Sequence, residues 1–256
     1  MSHPIQLIST DFDGTLHSDF GFAPIPEKTL QMIDRLQQQG VKWVINTGRD
    51  MPSLMEGLYR SGVKMMPDAL VLVEREVHVF KNSAFESVET WNNACYEDHQ
   101  QVFRKLRSDI PRLTSWVQTS SKAQIYEDAY SPFCLIAANN AEGDAIQEYM
   151  EDYCGEVPGL TVVRNSIYVR FSHHGYNKGT SLDEVRRLFG IAVENTFAIG
   201  DHLNDLPMLQ LKHAKHLAAP SNAIDEVKNL LRKQGGYISP HPEGLGVADA
   251  LEYFMK

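Results

Sequence analysis

The sequence predicts an α/β protein, a doubly wound parallel sheet interrupted by an inserted α+β domain. Three observations carry this. From Ile5 to Phe80, short apolar runs alternate with amphipathic stretches of helix length. Over 83–172 the alternation gives way to strands and helices with hairpin-length connections. From Asn177 the alternation resumes. A core over 1–82 and 173–256 is therefore expected, with the inserted domain over 83–172.

Ile5-Gln6-Leu7-Ile8 reads as a short buried strand that ends in a sharp turn at Asp11-Phe12-Asp13-Gly14-Thr15. Pro24–Gln39 reads as a helix: Pro26 suits its first turn, Leu30, Ile33 and Leu36 share a face, and Gly40 ends it. Val41–Ile45 is the next strand, stopped by Asn46-Thr47-Gly48-Arg49. Pro52 opens a second helix, Ala69–Val73 is a third strand, and Glu76–Phe80 adds a hairpin. Strands and helices repeating at this spacing require parallel pairing with crossover helices. In the insertion, Trp91–Ser108 reads as a helix broken by Pro111. Strand-like runs follow at Ser115–Thr119, Gln124–Tyr126 and Phe133–Ala138, then a helix at Gly143–Cys154. The turn at Asn165-Ser166 joins strands at Leu160–Arg164 and Ile167–Phe171. Beyond the insertion come a helix (Gly179–Phe189), a buried strand (Asn195–Ile199), a helix opened by Pro207, a strand (His216–Ala219), and helices at Ala223–Arg232 and Val247–Phe254.

Composition narrows the function classes. A chain of 256 residues, 43% hydrophobic and 22% charged, has material for a core of normal size. A net charge of −9 argues against a nucleic-acid surface, and Arg104-Lys105-Leu106-Arg107 reads as a solvated helix face. No window approaches a membrane span, and the first residues lack the apolar stretch of a secretion signal. Cys95, Cys134 and Cys154, odd in number and far apart, fit reduced thiols, so a cytoplasmic protein is expected. His173-His174, adjacent on a strand, are expected to face opposite sides as a structural pair.

The reactive candidates follow strand ends or open a helix. Asp11 and Asp13 follow the first strand, and on an extended chain both carboxylates project to one side. Their repulsion calls for a shared proton, a partner cation or a bound metal. Thr47 and Gly48 follow the second strand, Lys178 opens the helix after the insertion, and Asp201, Asn204 and Asp205 follow the strand at Asn195–Ile199. In open parallel sheets ligands bind beyond the carboxyl ends of the strands. Taken singly, these signals read as a solvated turn, a helix cap and a surface lysine. Jointly, and in this order, they describe phosphate chemistry. Asp11, Asp13 and Asp201 offer oxygen ligands to Mg²⁺. A partly free carboxylate is a nucleophile and a second carboxyl is a proton donor. Thr47 and the backbone at Gly48 suit phosphoryl oxygens, and Lys178 suits their charge.

These stretches resemble the haloacid dehalogenase superfamily and, within it, the Cof-type phosphatases. Asp11-Phe12-Asp13-Gly14-Thr15-Leu16, Thr47-Gly48-Arg49, Asn177-Lys178-Gly179 and Gly200-Asp201-His202-Leu203-Asn204-Asp205 match its four motifs in order. Ala219-Pro220-Ser221-Asn222-Ala223 and Gly244-Leu245-Gly246-Val247 are also similar to that group. The resemblance implies a Rossmann-like core with a type II cap of the B subtype inserted between the second and third motifs. It implies that Asp11 takes the phosphoryl group and that Asp13 protonates the leaving alkoxide, then activates water. It gives Mg²⁺ to the Asp11 carboxylate, the Asp13 backbone carbonyl and Asp201, with Asp205 behind them. Thr47, Lys178 and Asn204 are implied to bind phosphoryl oxygens.

Selectivity is expected from the inserted domain, entered through linkers near 81–84 and 171–176. Among its polar residues Tyr168, Arg170 and His174 are candidates, along with Tyr126, Tyr130 and Arg164. Arg49 is a candidate from the core. The expected partner is a small phosphorylated metabolite such as a sugar phosphate, with neither nucleic acid nor membrane involved. A phosphomutase using the same aspartyl-phosphate and a non-catalytic regulatory protein on the same fold are the alternatives. The sequence does not indicate an oligomeric state.

Overall fold

The computed structural model describes residues 4–18 and 23–256. The elements in chain order begin with β1 (Leu7–Thr10), α1 (Glu27–Gln38), β2 (Lys42–Asn46), α2 (Met51–Arg60), β3 (Ala69–Leu72), β4 (Glu76–Lys81) and β5 (Ala84–Ser87). The chain continues through α3 (Glu89–Ser120), β6 (Gln124–Tyr126), β7 (Cys134–Ile136), α4 (Asn140–Cys154), β8 (Leu160–Asn165) and β9 (Tyr168–His173). It ends with α5 (Lys178–Phe189), β10 (Thr196–Ile199), β11 (His216–Ala219), α6 (Asp225–Gln234), β12 (Tyr237–Ile238) and α7 (Glu243–Phe254). Single 3₁₀ turns occupy Val193–Asn195 and Leu203–Asp205.

The chain divides into two compact units, Met1–Asn92 with Asn177–Lys256, and Asn93–Tyr176. In the first, eight strands run in the order β12-β11-β10-β1-β2-β3-β4-β5. Pairing is parallel from β12 to β3, and β4 and β5 add an antiparallel edge. Alternation sorts the strand residues onto two buried faces. Ile8, Trp43, Ile45, Leu70 and Phe197 pack with Leu30 and Ile33 of α1, Leu54 of α2 and Val247 and Leu251 of α7. Leu7, Val44, Val71, Ala198 and Leu217 pack with Leu182 and Val185 of α5 and Val227 and Leu231 of α6. Helices on both faces make this a doubly wound, Rossmann-like sheet, which is why its strands are apolar on both sides.

The second unit has one antiparallel sheet in the order β6-β7-β9-β8. Leu135, Val169 and Phe171 point to α3 and α4, meeting Val102, Phe103, Leu106, Leu113 and Val117 of one and Ile146 and Met150 of the other. The register puts Tyr126, Cys134 and Arg170 on the opposite face, together with Tyr168. This is an α+β unit, as the sequence predicts. Among the described residues no helix is long and apolar enough to cross a membrane.

Several expectations give way. The unit limits differ from 83–172 because β5 pairs with β4, and Asn92 exchanges hydrogen bonds with the Val77 backbone (both 2.8 Å), which keeps both in the first unit. At the other end β9 runs to His173, and the Tyr176 hydroxyl donates to Asp98 (2.7 Å). Pro111 does not break a helix, and Ser115–Thr119 is not a strand. Both lie within α3, whose Leu106, Leu113 and Val117 recur at helical intervals and are buried, so packing outweighs the local β preference. Pro207 opens no helix. Residues 206–213 form turns, with Leu209 N–H bonded back to Asp205 (3.1 Å) and His213 to Gln210 (2.8 Å). His173 and His174 stack with ring centroids 4.9 Å apart, because β9 ends at His173 and the chain turns.

A proline inside a helix removes one hydrogen bond and crowds the preceding turn. Pro111→Ala is expected to stabilise the protein by about 1 kcal/mol or more, read as a higher urea midpoint. An unchanged or lower midpoint would show that the proline sets the path on which Leu113 and Val117 pack.

Candidate active site

The parallel sheet delivers the reactive groups to one edge. β10, β1 and β2 lie side by side, and their carboxyl ends lead to Asp201, Asp11 and Thr47. The Asp11 N–H still donates to the Ile199 carbonyl (3.0 Å), so the ladder fixes its backbone. The chain then turns at Phe12, whose carbonyl accepts from Leu16 (3.0 Å) and His17 (2.8 Å). Gly14 has φ +72°, and a Cβ there would stand 2.6 Å from Asp201 Oδ2, so glycine lets this loop lie against Asp201.

Lys178 joins these groups from the first residue of α5. Asn177 caps α5 by accepting from the N–H groups of Gly179 (2.9 Å) and Thr180 (3.1 Å), and the Asn177 N–H donates to Thr180 Oγ1 (3.0 Å). Asn46 Nδ2 donates to the Lys178 carbonyl (2.8 Å), tying the end of β2 to the start of α5. The Lys178 side chain is fully buried, and Nζ donates to Asp11 Oδ1 (2.7 Å) and Asp205 Oδ1 (2.5 Å). Asp205 Oδ2 accepts from the N–H groups of Asp201 (2.9 Å) and His202 (3.0 Å), so both of its oxygens are committed. Thr15 Oγ1 donates to Asp201 Oδ1 (2.8 Å).

The electrostatics follow from burial. Burial raises the Asp11 pKa well above the carboxylate range, Asp205 adds to the rise, and Lys178 only partly offsets it. Asp201 is pushed up to about 7, by burial first and Asp205 second. Burial alone would lower Lys178, but Asp11, Asp205 and Glu74 overcome it and hold the ammonium above its ordinary value. Two buried carboxyls that favour a proton are what a cation stabilises when it takes the proton's place. Asp11, Asp201 and Asp205 each offer an oxygen within 4.8 Å of the others, and this all-oxygen set suits a hard divalent cation.

Asp13 is placed apart from that cluster. Its carboxylate accepts a bidentate pair from Arg49, Nε to Oδ2 at 2.8 Å and Nη2 to Oδ1 at 2.5 Å. The Arg49 guanidinium also lies 4.9 Å from the Phe12 ring centroid. The two opening acids therefore take different partners, Asp11 with Lys178 and Asp13 with Arg49. Thr47 is buried, with its Oγ1 accepting from the Arg49 N–H (3.1 Å). Asn204 is buried, and its Nδ2 donates to Glu74 Oε1 (2.9 Å). Tyr168, Arg170 and His174 belong to the second unit, where Tyr168 and Arg170 share the sheet face away from the helices and His174 is exposed beside the Gly159 carbonyl. Arg164 instead clamps α4, bonding Asp144 and the Asn140 carbonyl. Reading the sequence missed Thr15, Asn46 and Glu74. Thr15 sat inside a motif already singled out, whereas Glu74 looks like an ordinary acid in a hairpin turn.

Residues 8–71 and 84–251 match the haloacid dehalogenase-like hydrolase family. The chain belongs to that family. The 5-amino-6-(5-phospho-D-ribitylamino)uracil phosphatase YcsE of Bacillus subtilis (strain 168) is 27% identical over 98% of this chain and 96% of its own. Phosphoglycolate phosphatase 1 of Saccharolobus solfataricus is 23% identical over the same shares. The structure of the sucrose-phosphatase of Synechocystis sp. PCC6803, in complex with sucrose and phosphate, superposes with a TM-score of 0.72 at 17% identity over 98% of both chains. The enzyme class of this family member is phosphatase.

The raised Asp201 pKa makes a prediction for the cation site. Between about pH 4 and pH 7 the native carboxyl keeps a proton that the unfolded chain has released, so metal-free stability falls as pH rises. A divalent cation displaces that proton, so its stabilisation grows over the same range. Melts in chelator and in Mg²⁺ should diverge as pH rises from about 5 to about 8. A gap independent of pH would contradict a cation at Asp201.

Proposed function

We propose that this phosphatase hydrolyses small phosphomonoesters, sugar phosphates or related metabolites, with Mg²⁺ and through an aspartyl-phosphate on Asp11. The observation that carries the reading is the buried Lys178 ammonium clamped to Asp11 at the carboxyl edge of β1, with the Asp201 carboxyl beside it. The N-terminus of α5 adds its partial positive charge at the same place, which suits a phosphoryl dianion.

Asp11 attacks phosphorus as the bond to the leaving oxygen breaks. Asp13 supplies the proton that oxygen needs. Asp13 then takes a proton from water as the water oxygen attacks phosphorus, and the bond to Asp11 breaks to release inorganic phosphate. Asp13 thus gives the first proton and takes up the second, and Arg49 holds its carboxyl in place. Asp11 and Asp201 would hold Mg²⁺ together with the Asp13 carbonyl, Asp205 acting behind them; the ion would neutralise charge on the transferring group. Lys178, Thr47, the Gly48 backbone and Asn204 would bind phosphoryl oxygens. The names of these relatives, which concern small phosphorylated molecules, support the substrate class. Family resemblance assigns selectivity to the inserted unit, where Tyr168, Arg170 and His174 stay candidates, and Arg49 in the core acts through Asp13. Cys95, Cys134 and Cys154 form no disulfide, which supports a reducing cytoplasm.

Asp11→Asn should abolish phosphate release from p-nitrophenyl phosphate while the circular dichroism spectrum and cooperative melt persist. Normal hydrolysis by that variant would remove the nucleophile assignment. Asp13→Asn should slow both half-reactions, and unchanged turnover would take the acid/base role from Asp13.

A further inference from the structure

The turn between β3 and β4 breaks a local rule. Its central residues, Val73 and Glu74, have φ of +44° and +69°, and the Arg75 N–H closes the turn on the Leu72 carbonyl (2.9 Å). Positive φ at both central positions is normally filled by Asn and Gly, and a β-branched valine there is strained. The surroundings hold the strain in place. Thr47 N–H donates to Val71 (2.9 Å), Val73 N–H to Arg49 (3.0 Å) and Glu74 N–H to Thr47 (2.9 Å). Ser181 Oγ of α5 donates to the Glu74 carbonyl (3.3 Å). The turn is thus fastened to the Thr47-Gly48-Arg49 loop.

The result is a carboxylate where a hairpin turn would ordinarily put none. Glu74 is 5% exposed. Its Oε1 accepts from Asn204 Nδ2, and a Cβ on Gly48 would lie 3.4 Å from that oxygen and 4.0 Å from Nδ2. Gly48, Asn204 and Glu74 therefore converge on one spot. Asn204 Oδ1 is buried with no hydrogen-bond partner among the described residues, so the bond to Glu74 is what fixes the amide's rotation. One N–H of Nδ2 is given to Glu74, and the other is left to point elsewhere.

We infer that Glu74 is a positioning residue: it holds the Asn204 amide so that the second Nδ2 hydrogen is presented to a phosphoryl oxygen beside Gly48. This rests on the proposed phosphatase reading, in which Asn204 binds phosphate. Backbone strain at Val73 and Glu74 is retained because it aims this carboxylate. Glutamine keeps an acceptor oxygen at the same reach, whereas alanine removes it.

Binding of inorganic phosphate in saturating Mg²⁺, measured by calorimetry, tests the inference without requiring turnover. Wild type, Glu74→Ala, Glu74→Gln, Asn204→Ala and Glu74→Ala/Asn204→Ala are compared, with melting temperature and p-nitrophenyl phosphate kinetics alongside. Glu74→Ala and Asn204→Ala should each weaken phosphate binding by about tenfold, and the double variant should be no weaker than Asn204→Ala alone. Glu74→Gln should bind within about threefold of wild type because it keeps the acceptor oxygen, while the double variant separates positioning of Asn204 from general packing. Losses that add in the double variant, or unchanged binding in Glu74→Ala, would overturn the inference. The expected binding pattern in a protein that never releases phosphate would support Glu74 and remove the phosphatase reading. No phosphate binding by the wild type would remove both.

Discussion

A lysine ammonium with no exposure to water organises this molecule. Lys178 sits between Asp11 and Asp205, and neither partner is tolerable without it. Removing a charge from water costs several kcal/mol per ion, so the cost must be met by close, well-made bonds. Three separate stretches provide them. β1 carries Asp11 to the sheet edge, the capped start of α5 carries Lys178, and the 3₁₀ turn after β10 carries Asp205, whose other oxygen is saturated by backbone N–H groups. Asn46 joins the first half of the sheet to the start of α5. The core therefore closes only when the two halves separated by the insertion come together.

That arrangement explains how the acids differ. Asp205 is fully committed and acts as the anchor for Lys178. Asp11 and Asp201 are buried beside the Asp205 carboxylate, which is why their carboxyls favour protonation. Asp13, two residues from Asp11, is neutralised by Arg49 and stands outside that balance. In the proposed reaction a divalent cation and the Lys178 ammonium would offset most of the negative charge that Asp11, Asp201, Asp205 and a phosphoryl dianion bring together.

The doubly wound sheet was legible in the sequence because its strands are buried on both faces and its helices are amphipathic, so periodicity and burial agree. Three of the four motif positions were legible because parallel strands place their carboxyl ends together, and Lys178 because its capped helix opens just after the insertion. Other features depend on tertiary packing. The 32-residue α3 passes through Pro111 because Leu106, Leu113 and Val117 face one core, a long-range fact that outweighs a local breaker. The short strand β12 carries only two residues and leaves too little pattern to detect. The separate pairing of Asp11 with Lys178 and of Asp13 with Arg49 depends on residues distant in sequence. Glu74 was invisible because its strained turn is stabilised by Thr47, Arg49 and Ser181, residues distant in sequence.

The proposed covalent step on Asp11 is tested most directly by trapping. Acid-quenched Asp13→Asn protein, mixed with p-nitrophenyl phosphate and Mg²⁺, would be digested and analysed by mass spectrometry. The predicted result is one phosphoryl group on the peptide that carries Asp11, lost on treatment with hydroxylamine. Phosphate release with no such adduct, or an adduct on another residue, would contradict it.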